Sequence, residues 1–401
     1  MKKIKIVDAI MGSGKTHDAI DRMKKHKGNF VYVTPFLDEV DRIIKEVPGV
    51  HDPKVTYEYD VVEEEYVTIY KRDNLLINAN KGINMATTHS LFKKLSRSDY
   101  KHFVEYDLIL DEVITPIQVL DLTPDDIHMA FNDGLLVENE RTHEVTFTRD
   151  DYKGKFNELK RYCKVANVIY VEERLLVWSF PPEIFRNFRS VNVMTYLFEG
   201  SLLAAYFRYY DIPYEVQSMT DKAEQDKKNQ IRNLLNIYEG PANKVGELQN
   251  DFSLNWLKKR SSDDLKRIKT SAANILERRF NSTSDKTGFT TFKAVKSKLK
   301  GKGFSKGFIS VNERATNKYC HKESMIYFAN RFLNPRIIDF FRSGNIKVDV
   351  EQWALAELIQ WIWRGSIRKD EPMNLYIPSK RMRDLLKNWL EEDSDSLSNA
   401  A

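Results

Sequence analysis

The sequence predicts an α/β protein built on parallel sheets, and three observations predict it. Short apolar strands alternate with amphipathic helices from the N-terminus to Val113. The loop Ala9-Ile10-Met11-Gly12-Ser13-Gly14-Lys15-Thr16 joins the first strand to the first helix. About 95 residues after Thr16, an apolar strand ends in the pair Asp111-Glu112. At 401 residues the chain is long enough for two or three domains, each burying its own core. Formal charge is +5, so any nucleic-acid footprint must come from local clusters. Cys163 and Cys320 are the only cysteines, which excludes a disulfide scaffold and a four-Cys zinc site. No apolar run approaches the roughly 20 residues that span a bilayer. The expectation is a cytoplasmic protein with no signal peptide and no membrane partner.

Taken in order, Ile4 to Asp8 forms the first strand and the helix opens near Thr16. Gly12 and Gly14 let the backbone bend and approach a ligand, so that Ser13 and its neighbours point N–H groups at phosphate oxygens. Lys15 supplies charge, and the Thr16 hydroxyl stands where Mg²⁺ needs a ligand. Asn29 to Pro35 is a second buried strand with Thr34 at its end, and Leu37 to Val47 is helical. His51 to Tyr70 is acidic and reads as a solvated surface; Leu75 to Ile77 reads as a strand. Ile83 to Ala86 is a strand leading into Thr87-Thr88-His89-Ser90, which serves either a phosphate backbone or a helix cap. Tyr106 to Val113 delivers Asp111 to hold Mg²⁺ and Glu112 to orient and deprotonate water. Buried charge is costly unless it is paired or metal-bound, so packing does not explain that pair.

Residues 115–182 form an insertion: a capped helix after Thr123, a hairpin at Leu135–Val137 and Val145–Phe147, a helix from Tyr152 to Cys163, then paired strands Val168–Val171 and Leu175–Trp178. Ser190 to Thr195 returns to buried-strand style and Ser201 to Tyr210 is helical. A second domain then spans 212–390, and an acidic tail, 391–401, is expected to be disordered. Lys293, Lys296, Lys298, Lys300, Lys302 and Lys306 lie in a stretch without acids, suited to a surface loop or to a phosphate backbone. Phe308 to Val311 reads as a strand, and a helix is expected through Tyr327 to Phe332. A long helix from Asp349 to Ile367 would set Gln360, Arg364 and Arg368 on one face, with Trp353, Trp361 and Trp363 as core or as base-stacking partners. Leu375 to Pro378 closes as a strand and Lys380 to Leu390 as a basic amphipathic helix.

Together these stretches resemble a superfamily 2 helicase of the DExD/H type, closest to compact phage-encoded members. Ala9–Thr16 resembles motif I, Val33-Thr34-Pro35 motif Ia, Asp111-Glu112-Val113-Ile114 motif II, Met194-Thr195 motif III, and Ala86–His89 a further nucleic-acid contact. Arg314-Ala315-Thr316-Asn317 resembles motif V, and Gln360–Arg368 motif VI. Trp363 stands where Gly is usual, and the second arginine comes one position late. The resemblance implies two RecA-like parallel-sheet domains in tandem: domain 1 over 1–211, carrying the insertion, and domain 2 over 212–390.

It also implies ATP and Mg²⁺ at a cleft between the domains. Gly12, Ser13, Gly14, Lys15, Thr16 and Gln360 would bind nucleotide, with Thr16 and Asp111 as metal ligands. Lys15, Asp111, Glu112 and either Arg364 or Arg368 would act in catalysis, and Thr34, Thr87, Thr88, His89, Arg314, Thr316 and Asn317 would contact nucleic acid. The implied activity is a DNA helicase or translocase, with replication or recombination proteins as partners. The alternatives are an ATPase that remodels RNA or protein–DNA complexes without unwinding, and a packaging-type ATPase or nucleotide-switched binding protein.

Overall fold

A computed structural model describes residues 3–60, 65–165, 167–311 and 317–391. Two compact units emerge, each with its own parallel sheet: the first takes 14–218 with 1–8 and 334–349, the second 219–333 and 350–401 with 9–13. The α/β expectation of tandem parallel-sheet domains, the first carrying an insertion, therefore holds.

The first sheet has seven strands: β1 (Ile4–Asp8), β2 (Asn29–Thr34), β3 (Val50–His51), β4 (Asn84–Thr88), β5 (Tyr106–Asp111), β6 (Ser190–Thr195) and β7 (Tyr214–Ser218). Their order is β7-β1-β6-β5-β2-β4-β3, and every pair is parallel. Residues 30–34 of β2 are all buried, because helices cover both faces and no polar side is needed. Helix α1 (Lys15–Lys25) buries Ala19, Ile20 and Met23, one stripe at helical spacing, against Phe30, Tyr32 and Met194. Ile20 and Met23 each contribute about 1.5–3 kcal/mol when fully covered.

Between β5 and β6 the insertion forms a three-stranded antiparallel sheet, in the order Asn167–Val171, Leu175–Ser179, Ile117–Val119. A hairpin pairs Leu136–Glu138 with Val145–Phe147, and the Thr123 hydroxyl caps the helix Pro124–Asn132. The helix expected from Tyr152 covers Asn157–Val165 instead. The segment 334–349 belongs to the first unit, where the Phe340 ring stacks on Tyr209 at 4.6 Å.

The second sheet holds β8 (Leu235–Ile237), β9 (Thr287–Thr290), β10 (Ser324–Tyr327) and β11 (Met373–Tyr376), ordered β8-β11-β10-β9 and parallel throughout. Its core gathers Phe252, Leu265, Ile268, Phe289, Phe304, Phe328 and Tyr376 beside the helix α2 (Ser262–Arg278).

Several local expectations are corrected. Leu75–Ile77 lies in the helix Lys71–Asn80, since a three-residue apolar run carries no period to tell strand from helix. Tyr327 ends strand β10 rather than entering a helix; Ser324–Tyr327 is buried on both faces, which leaves no amphipathic pattern. Among the described residues, Phe308–Val311 joins the sheet only through the single bridge between Phe289 and Phe308. The basic helix is present as Lys380–Glu391, but Arg381 and Arg383 turn inward. Arg381 pairs with Glu351 at 3.1 Å, and Arg383 donates to the carbonyls of Ile377 and Pro378. The long helix ends early, as α3 (Val350–Ile362). The Arg364 amide bonds back to Trp361, Gly365 turns extended, and a 3₁₀ turn follows over Ser366–Lys369. A Cβ on Gly365 would meet Met373 Sδ at 2.4 Å, so packing against β11 fixes that break. Gln360, Arg364 and Arg368 thus do not share one helical face. The acidic tail from 392 lies outside the described residues.

Candidate nucleotide site

Parallel register lines up the strand ends of the first unit: Asp8 opposite Thr195, Met194 opposite Asp111, and Thr34 opposite Thr88. Ligands of open α/β sheets bind along that edge. Past Asp8 the chain enters the glycine loop, where the Ser13 amide bonds to the Ile10 carbonyl at 3.3 Å. Gly14 caps α1 at φ 89°, in the left-handed region, while a Cβ there would meet nothing within 4 Å. Backbone conformation alone therefore demands glycine. Helix α1 begins at Lys15, with its first turn directed at this loop.

Lys15 is drawn into the same electrostatic group as Glu112, Asp111 and Asp8. Burial lowers its pKa, and those three carboxylates oppose the shift. Asp111 is pushed up to about 7, first by desolvation and then by the neighbouring Glu112 charge. The Thr34 hydroxyl donates to Asp111 Oδ2 at 3.3 Å, and the His89 ring Nε2 lies 2.9 Å from the Asp111 carbonyl oxygen. Glu112 stands at φ 62°, where a non-glycine residue is strained by about 1 kcal/mol or more. Its amide is held by the Met194 carbonyl at 2.9 Å, and the Thr195 hydroxyl donates to its Oε2 at 3.4 Å. The two neighbouring carboxylates thus have different partners, Thr34 for Asp111 and Thr195 for Glu112.

A desolvated ammonium beside two carboxylates, one of them poised to hold or lose a proton near neutrality, suits a polyanion carried with a divalent cation. Lys15, the loop amides and Thr16 are the groups that could hold such a polyanion, and Asp111 with Thr16 those that could hold its cation. Among the described residues no group of three or more His, Cys, Asp and Glu could hold a metal by protein ligands alone. A site for Mg²⁺ would share the ion with substrate oxygens, as that ion prefers.

Other expected residues are engaged within the protein. Thr34 and Thr87 are buried, and the Thr88 hydroxyl accepts from the Leu91 amide at 3.3 Å as a helix cap. In the second unit Arg364 is only 2% exposed, while Gln360 and Arg368 are half-buried. Arg314 and Thr316 lie outside the described residues; Asn317 opens a 3₁₀ turn. Two residues at the edge were missed from sequence. Asp8 accepts the Phe198 amide at 3.0 Å, and burial with the Asp111 charge holds the Tyr32 hydroxyl well above its ordinary pKa. An acid closing a buried strand was a visible signal for Asp8. Tyr32 carried none.

Residues 229–390 match the YonV C-terminal Rossmann-like domain, and residues 117–178 match the YonV middle domain. Among solved structures, Xpd4 of S. tokodaii is similar at TM-score 0.48 and 11% identity, covering 96% of this chain and 94% of that one. A hypothetical ATP-dependent RNA helicase from Sulfolobus tokodaii is similar at TM-score 0.27 and 10% identity, covering 96% of this chain and 90% of that one. These likenesses are too weak to bear on fold or activity, and the fold rests on the two parallel sheets themselves. The SPbeta prophage-derived uncharacterized protein YonV of Bacillus subtilis (strain 168) is 38% identical over 415 residues, 98% of this chain and 99% of its own. With that identity across nearly the whole of both proteins, the chain belongs to the YonV family.

Proposed function

We propose that the protein is an ATP-dependent nucleic-acid motor, a helicase or translocase of superfamily 2 type acting on DNA in the host-cell cytoplasm. The observation that supports this best is the gathering of Lys15, Asp111 and Glu112 at one sheet edge, directly after a glycine loop that opens a helix. In this reading Gly12 to Thr16 grip the phosphates of ATP, and Gln360 also contacts nucleotide. Mg²⁺ on Thr16 and Asp111 would neutralise charge on the transferring phosphoryl group. Glu112 orients and deprotonates the attacking water, and its Thr195 contact gives β6 a way to sense that step. Arg364 or Arg368 supplies the guanidinium that stabilises the developing charge. In this reading Thr88, His89, Arg314, Thr316, Asn317 and the 293–306 lysine run contact the polymer, while Thr34 and Thr87, both buried, support the strand ends that present the first of them. RNA is the alternative polymer, and replication or recombination proteins are the partners this activity would serve.

The Lys15→Ala variant should lose ATP turnover to background, at least a hundredfold, when phosphate release is measured with and without single-stranded DNA. Full turnover in that variant would refute the assignment. Strand displacement on tailed DNA and RNA duplexes then separates a motor from a remodeller.

A further inference from the structure

In the second unit, four flat groups stack into one column. Phe328 and Phe252 lie 5.9 Å apart at 15°, Phe252 and Trp256 4.9 Å apart at 29°, and the Arg260 guanidinium sits 4.6 Å from the centre of the Trp256 ring. The column begins in the core at buried Phe328 and ends at half-buried Arg260. Arg260 lines a cavity of about 270 Å³ with Ala242, Arg267 and Ser271, and a second of about 670 Å³ with Val245 and Leu248.

We propose that this groove binds a nucleotide of single-stranded nucleic acid, its base stacked on the Arg260 guanidinium and its phosphate held by Arg267. Trp256 lies against the guanidinium, and Arg260 itself lines both cavities, so a flat cationic group of the kind on which bases stack borders them. Arg260 Nε is buried with no hydrogen-bond partner, so the side-on fork that would grip a carboxylate is closed. A planar ligand therefore fits better than an acidic peptide. Residues 254–279 carry eight Lys and Arg against three acids, a local excess as large as the +5 of the whole chain. Such an excess favours a phosphate backbone. Asp264 also lines the smaller cavity, but it caps α2, exchanging bonds with Ser261 at 3.4 and 3.1 Å. Leu248, 72% exposed, offers an apolar edge to base or sugar.

The proposal rests on the nucleic-acid reading above, and the test separates the two. The full-length chain is titrated with a labelled thymidine 20-mer and with an abasic 20-mer of equal charge, by fluorescence anisotropy without nucleotide. The wild type should prefer the thymidine strand. Arg260→Lys should weaken that strand about five- to a hundredfold and leave the abasic strand within twofold. Arg267→Gln should weaken both and reduce the salt slope by about one. Unchanged melting curves show that both variants fold. A thymidine preference that survives Arg260→Lys, or no preference in the wild type, overturns the groove while nucleic-acid binding stands. Binding of neither strand overturns both.

Discussion

At the carboxyl edge of the first sheet stand Asp8, Thr34, Thr88, Asp111 and Thr195; at the matching edge of the second stand Ile237, Thr290, Tyr327 and Tyr376. Both sheets are parallel and both are covered by helices, so architecture does not separate them. Charge does. The first edge concentrates carboxylates around one lysine, and burial there lowers the Lys15 pKa and raises that of Asp111. The second ends in Ile237, a threonine hydroxyl and two tyrosines, and its guanidiniums lie beyond the strands, on and after helices. A fold offers the same ligand-facing edge twice, and the residues at the strand ends decide what each edge can do.

The largest effect that would sharpen this contrast concerns the second unit's contribution to catalysis. Of Arg364→Lys and Arg368→Ala, one should lower the maximal ATPase rate about a thousandfold, and the other should stay within tenfold. If both variants keep nearly full rates, neither arginine supplies charge to the reaction.

Next comes the cost of the buried acid at the first edge. Asp111 keeps its proton to about pH 7 in the fold but only to about 3.8 as a free side chain. Between those values the folded state holds more protons, so stability falls as pH rises from about 4 to about 7. Asp111→Asn should therefore melt a few degrees higher than the wild type at pH 8 and equally at pH 4, while losing turnover. Melts that differ by the same amount at both pH values would remove the carboxylate's special status.

The smallest effect compares two buried threonines. Thr34 donates to Asp111, whereas the Thr290 hydroxyl is buried with no hydrogen-bond partner. Thr34→Val should cost about 1–2 kcal/mol in chemical denaturation, and Thr290→Val should be neutral or stabilise by up to about 1 kcal/mol. Equal costs at the two sites would erase the distinction between the edges.

Much of the first unit was legible because its signals are local. A glycine turn needs positive φ at Gly14, and buried strands read as continuous apolar runs. The pair Asp111-Glu112 stood out because charge at the end of an apolar strand demands a reason. The second unit was less legible. Its strands are short, and β10 is buried on both faces, so neither period showed. The spacing of Gln360, Arg364 and Arg368 was helical in sequence, but Gly365 breaks the helix where it packs on Met373.

What the sequence determined by itself was the main buried strands of the first unit with helix α1, the glycine loop and the carboxylates, since each follows from neighbours within a few residues. What only the tertiary structure decided was which groups distant in sequence share one environment. Register set Asp8 beside Thr195 and Met194 beside Asp111, and a stack running from Phe328 to Arg260 formed from residues up to 76 positions apart. Long-range pairing and burial act between segments, and no local pattern encodes them.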